Sequence, residues 1–540
     1  MRFVGWLMLL VCLAGAAGCT GSAGCNNCVT NIDSGCPTCV PDGGHFSVFI
    51  VDPTFFSPPD GGVYGSGQSS VTGYETIPLF QMAINPVNGN IGIAYVEYSL
   101  DQTDNKPDLD PSVENMDILF VEWANGQIVI GPEKVTGTGV GTASLPVAAQ
   151  DFVGVSLDYQ ANGEPAVAYN GWAQQLPQYG YDALAGGPSA DGGTRSNQAY
   201  WFQHNAVVSY RNGGTWTQET AAMDSEQAAA SSPECAADGS CSMGTIVGLY
   251  PALFVDSSET ILAYRDVHFG SSTGTGDFDN SNLDLAFGGP TNWQYTGLAW
   301  GKPGILLPSG CVGQTRTPWG NHNKFIHGAN NTPALISDIG GNEYNTPGTN
   351  LIFFEQNTTG GWNCPVSLIK VGTTDPPNMQ TQTGPSMAYD GLGAGYAVAV
   401  SDLSGTGAAY YKYCLPGADC TQVANWSLFQ PVFQSGTGGY FSSVALNPDT
   451  HDPWVAYYFC SASSGYNEFS CPTAERSLQV ATTISTSPGQ WNPATATTET
   501  VDTQGAWQTQ MLYLTNPTRL VIGYRDPTTG AMKLAVEIPQ

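Results

Sequence analysis

RLVIGYRDPTTGAMKLAVE (Arg519–Glu537) reads as an apolar strand ending in Tyr-Arg-Asp, a Pro-Thr-Thr-Gly turn and a second apolar strand. The first of these strands has six counterparts upstream: IGIAYVE (Ile91–Glu97), PAVAYNG (Pro165–Gly171), ILAYRD (Ile261–Asp266), PALISD (Pro333–Asp338), YAVAVSD (Tyr396–Asp402) and PWVAYYF (Pro453–Phe459). Each copy follows a short strand and a tight turn, and is followed by a loop and a third apolar strand. A Gly/Asn turn then leads to a Trp that opens a fourth strand, at Trp216, Trp293, Trp362, Trp426 and Trp491; the first copy has Gln127 near that place.

One four-stranded sheet cannot bury both of its faces alone, but packed between two neighbours in a closed ring it can. The repeat therefore predicts an all-β fold, a seven-bladed β-propeller of four-stranded blades over residues 45–540. A flat sandwich leaves the recurring four-strand unit unexplained. The last copy has strands at Met511–Leu514, Leu520–Asp526 and Met532–Ile538 and no Trp-led fourth, whereas HFSVFIVD (His45–Asp52) is a strand that belongs to no copy. The expectation is that this N-terminal strand completes the last blade and closes the ring, removing an exposed edge.

Composition agrees with many short strands and turns: 41% of residues are apolar and only 11% charged, with 66 Gly and 36 Pro. The net charge of −30, from 45 acidic against 15 basic residues, excludes a nucleic-acid partner and electrostatic docking on an anionic membrane. It suits an extracellular protein, or one that gathers cations.

Arg2, the apolar run Phe3–Leu13 and the small residues Ala16-Ala17-Gly18 form an export signal over residues 1–18. Small residues ending in Cys19 resemble a bacterial lipobox, which implies that Cys19 carries lipid and that the mature chain is an outer-membrane or cell-surface lipoprotein; plain secretion is the alternative. Of 14 cysteines, Cys12 leaves with the signal and Cys19 takes the lipid, so an even set remains, as disulfides in an oxidising compartment require. Spacing suggests the pairs Cys235–Cys241, Cys414–Cys420 and Cys460–Cys471, with Cys311–Cys364 as a longer bridge. Residues 19–44 carry Cys25, Cys28, Cys36 and Cys39, and read as a disulfide-bonded stalk, with a zinc site as the competing reading.

In an up-and-down blade the turns after strands one and three share a face, and the loops after strand two share the other with the connections between blades. The turns after strand one are short throughout. The loops after strand two are long: Tyr98–Met116, Trp172–Asn205, Val267–Leu283, Ile339–Asn350 and Cys460–Arg476. Function usually sits on elaborated loops above a rigid scaffold, so this face is expected to work.

Three groups of residues on that face have candidate roles. Glu97, Asp266, Asp338, Asp402 and Asp526 end second strands and would form an acidic ring if they share a register. Asp266, Asp338 and Asp402 are the catalytic candidates of a glycoside-cleaving enzyme, which needs two carboxylates of different pKa. The competing reading is that each Asp caps its own turn. GDFDNSNLD (Gly276–Asp284) gathers Asp277, Asp279, Asn280, Asn282 and Asp284, an oxygen-rich set suited to a structural Ca²⁺ or else a solvated acidic loop. Trp172, Tyr179, Tyr181 and Trp201, with His268 on the next long loop, are candidate ligand contacts, because exposed aromatic faces stack on sugar rings; a miniature core for a long insertion would use the same residues. The histidines, His45, His204, His268, His322, His327 and His451, show no metal-binding spacing, and there is neither a phosphate loop nor a G-x-S-x-G elbow.

SYRNGGTW (Ser209–Trp216) resembles the Asp-box (BNR) turn, S-x-D-x-G-x-T-W, of sialidase-type propellers: Ser209, Gly213, Thr215 and Trp216 match, and Arg211 stands in the Asp position. The resemblance implies the propeller fold across His45–Gln540. The Phe-Arg-Ile-Pro motif of sialidases is not visible. The sequence thus leads to a monomeric surface lipoprotein that recognises an extracellular glycan or protein, touching the membrane only through its anchor. The alternative is a polysaccharide hydrolase or lyase using the Asp carboxylates.

Overall fold

The computed structural model describes residues 45–52, 80–99, 115–135, 154–175, 202–222, 246–267, 281–297, 320–338, 351–369 and 384–538, apart from 258, 290–291, 358–359, 392, 394, 403–407, 434–436, 462–470, 486 and 528. The export signal, Cys19 and the cysteine-rich stalk lie outside the described residues, as do Cys235, Cys241 and Cys311.

Seven four-stranded antiparallel blades make the molecule. Blade 1 is β2 (Phe80–Ile84), β3 (Ile91–Ser99), β4 (Asn115–Ala124) and β5 (Gln127–Lys134). Blade 2 is β6 (Val155–Tyr159), β7 (Pro165–Gln175), β8 (Phe202–Asn212) and β9 (Thr215–Ala222), and blade 3 is β10 (Ile246–Val255), β11 (Thr260–Val267), β12 (Ser281–Gly288) and β13 (Gln294–Gly297). A single parallel pair, Ile246↔His204, joins these two blades into one continuous sheet. Blade 4 is β14 (Asn321–His327), β15 (Pro333–Asp338), β16 (Leu351–Glu355) and β17 (Val366–Ser367). Blade 5 is β18 (Ser386–Asp390), β19 (Gly395–Asp402), β20 (Ala408–Tyr413) and β21 (Gln430–Pro431). Blade 6 is β22 (Thr437–Leu446), β23 (Pro453–Cys460), β24 (Arg476–Thr482) and β25 (Thr497–Asp502).

Blade 7 draws on both ends of the described chain. Its order is β1 (Phe46–Asp52), β28 (Met532–Glu537), β27 (Thr518–Arg525), β26 (Trp507–Thr515), so the N-terminal strand supplies the outer edge as the sequence predicts. Phe46 pairs with Glu537 and Phe49 with Leu534, and Asp52 then accepts the Tyr95 hydroxyl of blade 1 at 2.8 Å. Asp502, on the outer strand of blade 6, accepts the Tyr524 hydroxyl of blade 7 at 2.6 Å in the same way. The closing strand thus makes the contact that an ordinary fourth strand makes.

Blades are covered on both faces, and their middle strands are correspondingly continuous apolar runs. Close to the axis the second strands carry Ala94, Ala168, Ala263, Ala399 and Ala456, all buried, and Gly523, where a Cβ would lie 2.5 Å from the Met82 sulfur of blade 1. Small residues are required there because neighbouring sheets converge toward the axis. Farther out the gap widens and aromatics fill it. Trp216 packs on Phe120 of blade 1 (ring centroids 5.6 Å), Trp426 on Phe353 of blade 4 (5.3 Å) and Trp491 on Tyr411 of blade 5 (5.4 Å). The recurring Trp is therefore an inter-blade wedge.

The degenerate Asp-box acquires a reason in the same seam. Arg211 reaches across to Glu133 of blade 1 with Nε and Nη2, at 2.8 and 2.9 Å, and to Glu164 with Nη1 at 2.8 Å. The Trp216 indole N–H donates to the same Glu133 at 3.0 Å. These bonds, the Arg211 contact first among them, hold the Glu133 carboxyl below its ordinary pKa against the opposing effect of burial. An aspartate at position 211 would face two carboxylates.

Candidate functional site

Strand directions put the ends of the second strands, at Ser99, Gln175, Val267, Asp338, Asp402, Cys460 and Arg525, on one face of the ring. On the opposite face the connections after first strands are short, at 85–90, 160–164, 256–259, 328–332, 391–394, 447–452 and 516–517. Disulfides mark both faces: Cys460–Cys471 ties the root of the 461–475 segment, and Cys414–Cys420 braces the hairpin between β20 and β21. Cys364 is also disulfide-bonded.

The mouth of the axial channel on the elaborated face is shaped by a repeated backbone bulge. The innermost strand of blades 3, 4, 6 and 7 breaks register at equivalent places, between Leu249 and Ala252, Asn321 and Lys324, Tyr440 and Ser443, and Trp507 and Gln510. The residue that follows the first of each pair, Tyr250, His322, Phe441 or Gln508, has positive φ, and Gly384 (φ 77) stands in that place in blade 5. Four non-glycine residues in the left-handed region cost conformational energy that the surrounding packing must over-determine.

These bulges define which second-strand residues are equivalent. The partner of the residue before the bulge is Arg265 in blade 3, Asp338 in blade 4, Tyr458 in blade 6 and Arg525 in blade 7. Asp338 therefore falls one residue short of Asp266 and Asp526, in the place of the arginines that precede them. Because side chains alternate across a strand, it faces the opposite side of its sheet. The expected acidic ring does not pass through Asp338.

Asp338 has other employment. It is fully buried and holds the His322 Nδ1 at 3.1 and 3.3 Å, fixing the imidazole of a left-handed residue. The Tyr250 ring lies against the same imidazole (centroids 5.0 Å), and Gly384 leaves room for it, since a Cβ there would meet the His322 Cβ at 2.8 Å. Next to it, buried Arg265 donates to the Asn321 side-chain oxygen, and Asn323 donates to the Tyr250 and Gly320 carbonyls at 2.9 and 2.7 Å. This network locks blade 3 to blade 4 at the rim of the channel. Nothing in the local sequence distinguishes His322 from the other histidines; its role follows from the bulge.

Asp526 caps its own turn: it accepts the Thr529 N–H at 3.1 Å and an ion pair from Lys533 at 2.5 Å. Lys533 also reaches Asp502 of blade 6 at 3.1 Å. Burial alone would lower the Lys533 ammonium, but these two carboxylates outweigh it and hold the pKa above its ordinary value. Asp266 and Asp402 end their strands opposite Asn282 and Ala408.

The oxygen-rich stretch at 276–284 is not one loop. Asp277, Asp279 and Asn280 lie outside the described residues, whereas Asn282 and Asp284 belong to β12, opposite Asp266 and Tyr264. Asp284 is buried inside the sheet, which removes it from a surface ligand set. Among the described residues no group of three His, Cys, Asp or Glu side chains is arranged to hold a metal ion. Trp172 lies on β7 opposite His204, while Tyr179, Tyr181, Trp201 and His268 lie outside the described residues.

No known family profile matches this sequence, and no curated protein matches it. Solved structures with a similar course of chain include a protein of unknown function from Dyadobacter fermentans, at 11% identity, covering 91% of this chain and 99% of that one with a TM-score of 0.41. The NanB sialidase of Streptococcus pneumoniae matches at 10% identity over 89% of this chain and 71% of its own, with a TM-score of 0.41. An α-L-arabinofuranosidase from Lactobacillus brevis matches at 14% identity over 64% of this chain and 99% of its own, with a TM-score of 0.32.

Proposed function

We propose that this chain is a recognition protein, binding an extracellular glycan or protein with the elaborated face and cleaving no bond there. The observation that supports this most directly is the engagement of two strand-end carboxylates, Asp338 and Asp526. Cleavage of a glycosidic bond needs two carboxyl groups, roughly 5 to 9.5 Å apart, facing a shared space. Asp338 faces His322 inside the core and Asp526 faces Lys533 and its own turn, so each serves the scaffold. The strands that lead into the long segments of sequence, β3, β7, β11, β15 and β23, share a rim that hydrogen bonds lock between blades 3 and 4, a suitable base for adaptable contacts. Cys19 is taken to hold the ring at the cell surface through its lipid, and any Ca²⁺ near 276–284 would draw on Asp277, Asp279 and Asn280.

The test is a panel of polysaccharides and surface proteins offered to the purified ring with Ca²⁺, reading binding and released reducing ends in parallel. Binding without release is expected. Release that disappears in Asp266→Asn or Asp402→Asn, with the fold intact, would overturn recognition in favour of hydrolysis.

A further inference from the structure

We propose that the axial channel holds a small monovalent anion, a halide or a carboxylate, on the ammonium of Lys324. The channel beneath the elaborated face encloses a cavity of about 40 Å³, lined from five blades by residues that include Phe80, Lys324, Ser386, Ser442, Thr509 and Gln510. At roughly 10–15 Å³ for each water, that is room for about three waters or one small ion. Among the described residues no carboxylate lines it, and the titratable side chains that do are Lys324 and His322, whose Nδ1 is turned to Asp338.

The position of Lys324 in the repeat makes the case. Apart from the Ile246 pair of β10, the inner edge of the first strands has no strand partner among the described residues, so its N–H groups need acceptors. In three seams the residue at the Lys324 position of the preceding blade supplies one. Ser156 accepts from Leu253 N–H at 2.8 Å, Ser386 from Val444 N–H at 3.2 Å and Gln510 from Met82 N–H at 2.6 Å. Lysine cannot accept; it brings three donors and a charge into this ring. Its ammonium makes no ion pair and no hydrogen bond with any described residue. The Ser386 hydroxyl, having accepted from Val444, keeps its own proton to donate into the same cavity.

Lys324 is partly buried, and its ammonium and the Ser386 hydroxyl proton share a cavity with no described carboxylate to meet them, the acceptor that an anion would supply. Burial pushes the Lys324 ammonium down to about 8, so it still carries its charge at neutral pH. The side chain lines the channel. An anion there would bridge β14 to β18, β22 and β26 at the centre of the ring.

The purified ring is melted in chloride and in formate at fixed ionic strength, balanced with gluconate, which is too large for the cavity. Wild type is expected to gain Tm with the logarithm of either anion, and Lys324→Met, which keeps the stem, to lose that response while melting cooperatively. Broadening of the ³⁵Cl resonance by wild type, reversed by formate, tests the site without any variant. Chloride acting alone would name a halide, and formate alone a carboxylate group. No Tm response and no broadening in wild type, or an equal response in Lys324→Met, overturns the proposal.

Discussion

Replacing Phe46 by alanine tests whether the N-terminal strand holds the ring shut. Phe46 is 2% exposed, pairs with Glu537, and packs in a cluster that spans blades 6 and 7, including Leu478, Val480, Leu520 and Ile522. Truncating a buried Phe costs about 3–5 kcal/mol, the sum of lost transfer energy and the cavity left behind. Ile50 on the same strand is 39% exposed, so Ile50→Ala should cost roughly 0.5–1 kcal/mol and controls for mere alteration of the strand. Urea unfolding followed by Trp fluorescence and circular dichroism gives both values from the shift in midpoint, provided the slopes agree. Deleting 45–52 goes further, because it uncovers the edge of β28 and leaves the Tyr95 hydroxyl without Asp52. An uncovered edge strand recruits other chains, so self-association by light scattering is expected. If Phe46→Ala costs no more than Ile50→Ala, or the deleted chain stays monomeric and equally stable, the closure argument fails.

Other consequences can be checked with the same unfolding assay. Arg211→Ala should destabilise by about 1–2 kcal/mol, since it strips charge-assisted bonds from Glu133 in a partly exposed seam, and Arg211→Asp should cost more. Removing Cys460–Cys471 by a double alanine substitution should cost about 2–3 kcal/mol, the chain-entropy value for a closed loop of this separation (11 residues). Alkaline titration should unfold the ring steeply. Burial raises the hydroxyls of Tyr396, Tyr457, Tyr513 and Tyr524 above the ordinary value of 10.0, with nearby carboxylates adding to it at Tyr396, Tyr513 and Tyr524. A raised folded pKa gives stability that is whole below pH 10 and lost as pH climbs beyond it, so a flat stability profile between pH 9 and 12 would contradict their burial. Cys19→Ala should abolish incorporation of labelled palmitate in a bacterial host, and labelling that persists would exclude Cys19 as the acceptor.

Strands and blade count were legible because each depends on local pattern, and closure because the repeat left one strand over, His45–Asp52, and one place unfilled in the last blade. Apolar runs such as Leu520–Tyr524, turn residues such as Gly530 and the recurring Trp are all determined within a few residues, and the repetition multiplies the signal, although only Trp216 lies in its fourth strand and Trp293, Trp362, Trp426 and Trp491 stand ahead of theirs. The pairs Cys414–Cys420 and Cys460–Cys471 were legible for the same reason. Site residues were less so. Aligning PALISD with ILAYRD by their final Asp is the natural reading of the letters, yet it is one residue out. The bulge that sets the register lies in the first strand, around His322, and its pairing is not written in the second.

By itself the sequence determined an all-β ring of repeated sheets, its completion by His45–Asp52 and the face on which the insertions gather, because hydrophobic periodicity and turn chemistry act over short separations. Only the tertiary structure decided that Asp338 turns inward to His322, that Arg211 crosses to Glu133 and that Lys324 lines the axial channel. Those facts arise where chain segments far apart in sequence converge, and a side chain's partner there is set by ring geometry and not by its neighbours along the chain.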